Sequence, residues 1–173
     1  IMKKLLAAMA IASAISFSPA DVPFDAAPSL TATAEAAAAP DAALTNLRDG
    51  SDTSIAALAA DKPLFLNFWA SWCPPCVGEM PNVNAMYQKY GDRVNFAAVS
   101  IDGSTDDAKS FTQGRGADLQ LPFYYGDEMA ISQAYHIDAI PISMMIAPGG
   151  EIIAQHLGGM TEEELDAFIS AAL

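Results

Sequence analysis

The chain has 173 residues, of which 21 are acidic and 8 are basic, and it contains only two cysteines. This length accommodates one compact domain with a short additional segment, and an apolar fraction of 52% is ample for a hydrophobic core. A net charge of −13 argues against a nucleic-acid binder, and two cysteines exclude a disulfide framework or a four-thiolate zinc site.

The first twenty residues have the pattern of a secretory signal. Two lysines precede an apolar run at residues 5–15, and small residues follow it at Ser18 and Ala20. A helix over residues 5–17 would span roughly 20 Å, less than the roughly 30 Å hydrocarbon core of a bilayer. We therefore expect residues 1–20 to be a signal peptide that exports the protein to the periplasm or another extracytoplasmic compartment. The alternative is an uncleaved segment that tethers the protein to the membrane.

Residues 21–40 combine many alanines with three prolines. Alanine favours helix, but the prolines interrupt it, and there is no stripe of large apolar side chains to dock on a core. The segment is therefore interpreted as a loosely ordered tether, with a short helix as the alternative. Residues 41–173 are expected to form the folded domain.

Within this domain, apolar runs alternate with helix-compatible segments. Strands are predicted at residues 64–69 and 94–101 with a helix at 76–90 between them, which indicates a parallel pair with a right-handed crossover. The remaining predicted elements are a helix at 104–113, a strand at 121–125, a helix at 127–135, a hairpin of 142–147 with 151–156, and a final helix that begins at Thr161. Pro122 restricts the 121–125 strand to a sheet edge or to a strand start. This order predicts an α/β fold with a central mixed β-sheet flanked by helices.

The motif that carries chemistry is WCPPC, at residues 72–76, where the first buried strand meets the first long helix. There Cys73 lies near the helix N-terminus, where free backbone N–H groups and the helix dipole favour a thiolate. Pro74 and Pro75 fall in the first turn, where a missing N–H costs little. Cys76 shares a helix face with Cys73, close enough to form a small disulfide. This spacing predicts that Cys73 attacks a disulfide and that Cys76 resolves the mixed disulfide.

The segment NFWASWCPPC, at residues 67–76, resembles the active-site segment of thioredoxin-like proteins, especially of the exported TlpA/ResA/DsbE type. Three further segments are similar to that type. EMP at residues 79–81 resembles its acid-and-proline continuation, YHIDAIP at 135–141 resembles the approach to its cis-proline, and residues 103–125 occupy the place of its extra helix and strand. The resemblance covers about residues 42–173. It implies a thioredoxin-like fold with a helix–strand insertion.

The resemblance also implies roles for individual residues. Cys73 would be the exposed nucleophile and Cys76 the buried resolving thiol, so that their disulfide is the redox group and no separate cofactor or metal is expected. Pro141, if cis, would place the Ile140 backbone beside Cys73 for a substrate strand to bind. Glu79 would carry the proton of the resolving thiol, with an ordinary exposed helix acid as the alternative.

Two further residues of the motif are expected to meet substrate. Trp72 is predicted to be partly exposed next to Cys73, where it would shield the sulfur and contact the client. Together with Pro74, Ile140 and Pro141 it makes up the predicted substrate-binding set.

Some positions depart from the family pattern. Asn67 stands where cytosolic thioredoxins carry a buried aspartate, and because asparagine does not titrate, proton handling would fall to Glu79 or to water. His136 and Ala139 replace frequent glycines before the proline loop. Asp102, just after the second strand, is interpreted as a turn residue without a catalytic role.

The leading hypothesis is an extracytoplasmic thiol–disulfide oxidoreductase that reduces disulfides of exported proteins, for example apocytochrome c. Its partners would be protein disulfides and dithiols and, for a reductant, a membrane-bound electron donor; a monomer is expected. Two alternatives use the same cysteines. One is a disulfide-forming oxidase, and the other is a copper metallochaperone in which methionine at 144 or 145 joins Cys73 and Cys76.

Overall fold

The computed structural model describes residues 37–173, so the predicted signal peptide at 1–20 and most of the predicted tether lie outside the described residues. The described residues form, in chain order, β1 (Ala43–Asn46), β2 (Asp52–Ser54), α1 (Ile55–Leu58), β3 (Leu64–Trp69), α2 (Pro74–Tyr90), β4 (Asn95–Ser100), α3 (Thr105–Gln113), β5 (Phe123–Tyr125), α4 (Glu128–Tyr135), β6 (Ile142–Ile146), β7 (Ile152–Leu157) and α5 (Glu162–Ser170). None of these helices is both long enough and apolar enough to cross a membrane.

The strands form one mixed sheet in the order β2-β1-β5-β4-β3-β6-β7. The interior strand β3 is buried along its whole length, and it pairs in parallel with β4 and antiparallel with β6. Helix α2 connects β3 to its parallel neighbour, and β6 forms a hairpin with β7. The predicted α/β fold with a central mixed sheet is therefore confirmed.

Each face of the sheet carries its own hydrophobic core, because successive residues of a strand point to opposite faces. Phe65 and Trp69 of β3 face the core that α2, α3 and α5 cover. Leu64, Leu66 and Phe68 face the core that α1 and α4 cover. Burial on both faces explains why β3 is a largely apolar run, interrupted by Asn67, rather than an alternating one.

The predicted insertion at residues 103–125 is present as α3 and β5. Strand β5 lies between β1 and β4, in the interior of the sheet. Pro122 therefore does not mark an edge; it lies just before the strand, and its carbonyl accepts a hydrogen bond from the Ala98 N–H at 3.0 Å. Elements β1, β2 and α1 were not predicted, because segments of three or four residues are too short to show a periodicity.

The last residues of the predicted tether are hydrogen-bonded to the domain. The Ala39 N–H donates to the Gly150 carbonyl at 2.7 Å, and the Ile152 N–H donates to the Ala37 carbonyl at 2.9 Å. The Tyr135 hydroxyl donates to the carbonyl of Pro40. Residues 37–40 therefore lie along the turn between β6 and β7 rather than apart from the fold.

We expect Phe65→Ala to lower the free energy of unfolding by about 3–5 kcal/mol, because it removes a fully buried ring from β3. The Phe65 ring lies 5.2 Å from that of Phe96 and 6.4 Å from that of Phe168, centroid to centroid. Urea unfolding would measure the loss. Ile153→Ala, on the exposed side of β7, is the control and should change stability by less than about 0.5 kcal/mol. Equal losses in the two variants would contradict this account of the core.

Candidate active site

The two cysteines lie in the first turn of α2, directly after β3 ends. Cys73 is the N-cap residue, and its sulfur accepts a hydrogen bond from the Cys76 N–H at 3.3 Å. Pro74 and Pro75 occupy the first helical positions, where no intrahelical N–H bond is lost. A disulfide joins Cys73 to Cys76, whose Cα atoms lie 5.3 Å apart. The helix terminus is therefore placed to stabilise negative charge on Cys73 when this bond is broken.

The two sulfur-bearing residues differ in access from solvent. Cys73 is 5% exposed and borders an open groove of about 540 Å³, whereas Cys76 is completely buried and does not line it. Trp72, beside the pair, is 66% exposed. An incoming thiolate or disulfide can thus approach Cys73 but not Cys76, as the predicted order of attack requires.

The groove separates the active-site turn from the segment that leads into β6. Three of the predicted substrate-binding residues, Trp72, Pro74 and Ile140, border it, and α4 closes one side. The full lining consists of Trp72, Cys73, Pro74, Ile101, Glu128, Ser132, Ile137, Asp138, Ala139 and Ile140. The fourth predicted residue, Pro141, is buried behind this wall.

The peptide bond between Ile140 and Pro141 is cis, as the resemblance implies. The Sγ atom of Cys73 lies 3.8 Å from the carbonyl oxygen of Ile140. A disulfide sulfur carries no proton, so this is a van der Waals contact in the oxidised protein. After reduction, a Cys73 thiol at the same place could donate a hydrogen bond to that oxygen.

Glu79 is a buried carboxylate one turn beyond Cys76 on the same helix. It is 4% exposed, and neither carboxylate oxygen has a hydrogen-bond partner among the described residues. Burial raises the pKa of Glu79 from 4.5 to about 7, and the nearby backbone N–H of Met160 opposes only part of this rise. Glu79 is therefore not the exposed helix acid of the alternative interpretation.

The side chain of Asn67 on β3 is polar but carries no charge. Asn67 is buried, and its side-chain Nδ2 donates to the Ser143 hydroxyl at 3.0 Å. The pair joins β3 to β6 below the active-site turn. Position 67 therefore offers no titratable side chain. The buried carboxylate of α2, Glu79, has a pKa that allows it to exchange a proton near neutral pH.

The copper alternative groups Met144 or Met145 with Cys73 and Cys76, and of these four residues Cys73 alone borders the groove. Met144 and Met145 are adjacent on β6, so they pack into opposite cores, and neither borders the groove. His136, which replaces a frequent glycine of the family pattern, follows α4 in a left-handed conformation with φ of 51°. Within residues 37–173, no three side chains of His, Cys, Asp or Glu are grouped so as to hold a metal ion.

Asp102 was wrongly interpreted as a simple turn residue. It is completely buried, and its carboxylate accepts hydrogen bonds from the Ser71 N–H at 3.0 Å, from the Ser71 hydroxyl at 2.8 Å and from the Ser100 hydroxyl at 2.6 Å. A signal was available in the sequence, because Ser71 and Asp102 each follow a predicted buried strand. The carboxyl ends of neighbouring parallel strands meet at one edge of the sheet, which brings these two residues together.

Comparisons with known proteins agree with this geometry. The Redoxin family model matches residues 34–169. The thiol-disulfide oxidoreductase ResA of Bacillus thuringiensis (strain Al Hakam) is 33% identical over 109 residues, which are 62% of this chain and 62% of the relative. ResA of Oceanobacillus iheyensis is 32% identical over 136 residues, 77% of this chain and 70% of the relative. The first of these matches thus spans less than two thirds of the relative's length.

A solved structure gives the same result for the fold. The crystal structure assigned to a thiol:disulfide interchange protein DsbE from Chlorobium tepidum superposes with a TM-score of 0.70 and 28% identity. The match covers 79% of this chain and 96% of the other. The expected thioredoxin-like fold is confirmed.

Glu79→Gln should stabilise the oxidised protein at neutral and alkaline pH. The pKa of Glu79 in the folded state, about 7, lies above the unfolded value of 4.5. The folded state therefore holds this proton more tightly, so wild-type stability is full below about pH 4.5 and is lost as pH rises through about 7.

We expect the variant to exceed wild type by up to about 3 kcal/mol at high pH, and the difference to vanish in acid. Urea unfolding of both proteins across this pH range would measure it. Glu151→Gln, at an exposed site, is the matched control and should show no such trend. A stability difference between Glu79→Gln and wild type that does not vary with pH would contradict the assignment.

Proposed function

The chain belongs to the Redoxin family, and on this premise we propose that it is a thiol–disulfide oxidoreductase that acts outside the cytoplasm through Cys73 and Cys76. The observation that carries the proposal is the pairing of these residues at the N-terminus of α2, with Cys73 beside an open groove and Cys76 buried. The signal-like pattern at residues 1–20 supports the location.

In the proposed reaction, the Cys73 thiolate of the reduced protein attacks one sulfur of a client disulfide. A mixed disulfide forms, and the other client sulfur leaves as a thiolate. The Cys76 thiolate then attacks the Cys73 sulfur, which forms the Cys73–Cys76 disulfide and releases the second client sulfur. Two electrons pass from the protein to the client, and a membrane-bound donor restores the dithiol.

The free N–H groups at the start of α2 are suited to activate Cys73. The Cys76 N–H already points at the Cys73 sulfur at 3.3 Å, and a thiolate is a stronger acceptor than a disulfide sulfur. A thiolate at such a terminus has a pKa below the ordinary value of about 8.5. Cys73 is therefore assigned the role of nucleophile.

Glu79 is assigned the role of proton acceptor for Cys76. The two residues are three apart on one helix, which places their side chains on the same face. A group with a pKa of about 7 accepts and returns a proton with similar ease near neutral pH. Cys76, being completely buried, has no direct exchange with solvent, so a buried neighbour that titrates supplies what the second step needs.

The client is proposed to bind along the groove as an extended segment. Trp72 supplies an exposed aromatic surface beside the nucleophile. On the opposite wall, the Ile140 backbone faces Cys73 and can hydrogen-bond a client strand. Pro74 borders the groove, Pro141 lies buried behind the opposite wall, and neither residue has a backbone N–H to donate.

The reducing direction is the one we propose, with exported disulfide proteins such as apocytochrome c as clients. Thiol–disulfide oxidoreductases that are strong oxidants owe their high reduction potentials to a reduced form that is unusually stable. Here an ionised Glu79 would repel a thiolate on Cys76 one turn away, which destabilises the reduced form at high pH. Export also places the protein where oxidation is the default, so a reductant with its own electron supply has a task there.

The Cys76→Ser variant should accumulate mixed disulfides with client proteins, because the second step has lost its nucleophile. Cys73→Ser should trap almost none, since the remaining thiol is buried. Non-reducing electrophoresis after affinity capture from the native compartment would compare them. Equal trapping by the two variants would reverse or remove the assigned roles.

We expect the Cys73–Cys76 couple to have a midpoint potential nearer to the about −270 mV of thioredoxin than to the about −120 mV of strong disulfide-forming oxidants. Equilibration with dithiol buffers of known potential, followed by thiol labelling, would measure it. A midpoint close to the latter value would replace the proposed reductant by the oxidase alternative.

A further inference from the structure

Ser71, in the turn that carries Cys73, is held by hydrogen bonds to side chains from outside the turn. The Asp102 carboxylate accepts from both the N–H and the hydroxyl of Ser71, at 3.0 Å and 2.8 Å. On the other side of the same residue, the Arg115 guanidinium donates to the Ser71 carbonyl at 3.3 Å. Both backbone groups of Ser71 are therefore held by side chains 31 and 44 residues further along the chain.

The Asp102 carboxylate that holds Ser71 is buried, and both of its oxygens accept hydrogen bonds. Asp102 and Ser100 are both 0% exposed, and the Ser100 hydroxyl donates to the Asp102 carboxylate at 2.6 Å. In the described part of the chain the carboxylate of Asp102 forms no salt bridge. Burying a carboxylate without a cation is costly unless hydrogen bonds replace its water. All of the replacing donors belong to the active-site turn or to the end of β4.

Ser71 lies two residues before Cys73, in the same turn of the backbone. Only Trp72 separates it from Cys73, and the Cys73 N–H closes the turn by donating to the Ala70 carbonyl at 3.1 Å. Cys73 must hold a non-helical conformation, with φ of −95° and ψ of 102°, for its sulfur to lie over the Cys76 N–H. A change in the orientation of the Ser71 peptide would be transmitted to this conformation.

We propose that Asp102 is a positioning residue for Cys73: by fixing Ser71, it aligns Cys73 with the N-terminus of α2. Arg115 assists by holding the Ser71 carbonyl. The inference rests on the proposed function, since it assigns Asp102 a task in the reaction of Cys73. It also gives the insertion at residues 103–125 a role. Asp102 immediately precedes this segment and Arg115 lies within it, so the insertion holds the active-site turn from the side of β4.

The test uses the full chain in a Cys76→Ser background, where Cys73 is the single thiol. The second-order rate of its alkylation by iodoacetamide at pH 7 reports its thiolate fraction and its access. We expect Asp102→Ala to slow alkylation by about tenfold or more, because the freed turn no longer keeps the sulfur over the helix terminus. Asp102→Asn keeps one oxygen for both Ser71 donors, and it should restore the rate to within about twofold to threefold of the parent.

The conservative variant separates positioning from charge. If Asp102 acted only through its negative charge, alanine and asparagine would both accelerate alkylation, since removing a nearby negative charge favours the thiolate. A gain in both variants, or an alanine variant equal to the parent, would overturn the inference. Ser71→Ala removes only the hydroxyl bond and should give an intermediate loss. The double variant Ser71→Ala/Asp102→Ala should raise the free energy of activation by less than the two single variants raise it in total, because both substitutions remove the same hydrogen bond.

A matched control separates positioning from general loss of stability. Asn95 at the start of β4 also joins distant segments, because its side-chain Nδ2 donates to the Leu58 carbonyl at 2.8 Å. Asn95→Ala should lower the melting temperature and leave the alkylation rate within about twofold of the parent. An equal slowing in this control would overturn the inference.

Two outcomes remain distinct from these. If Asp102→Ala does not fold, as circular dichroism would show, Ser71→Ala carries the test, and an unchanged rate in that variant would overturn the inference. If Cys73 in the parent is alkylated no faster than a free cysteine, the proposed function fails as well. A fast parent with unaffected variants rejects only the role of Asp102.

Discussion

At the first turn of α2, the N–H of Cys76 points at the sulfur of Cys73 from 3.3 Å away. This hydrogen bond exists only because β3 ends where it does and because the helix begins at Pro74, with Cys73 outside it as the cap. The unpaired N–H groups of a helix start attract negative charge most strongly within the first turn. This placement sets Cys73 beside the groove and leaves Cys76 buried in the core.

Two buried carboxylates flank the cysteine pair, and their surroundings give them different properties. Glu79 has no hydrogen-bond partner among the described residues, so burial raises its pKa to about 7 and makes it able to exchange a proton. Asp102 accepts from Ser71 and Ser100 and serves as an anchor point. The same functional group can thus act as a proton carrier or as a mechanical support, depending on whether its oxygens are satisfied.

The reactive turn is enclosed by parts of the chain that are far from it in sequence. Segment 137–140 and α4 form the wall opposite Cys73, and the insertion at 103–125 extends the sheet through β5 and supplies Arg115. The similarity to the ResA relative from Oceanobacillus iheyensis covers 77% of this chain, and the similarity to the DsbE structure covers 79%. The contacts that Asp102 and Arg115 make with Ser71 join the end of β4 and the insertion to the turn that carries Cys73.

Local patterns in the sequence determined the buried strand β3, the start of α2 and the thiol pair, because a continuous apolar run followed by prolines at a helix start needs no distant partner to be recognised. The capping box at Thr161 was predictable for the same reason. Only the tertiary structure decided that Asp102 meets Ser71, that Ile140 lies beside Cys73, and that Glu79 has no hydrogen-bond partner within residues 37–173. Each of these depends on residues that are distant in the chain, and a buried side chain's pKa and role follow from those neighbours rather than from its own segment.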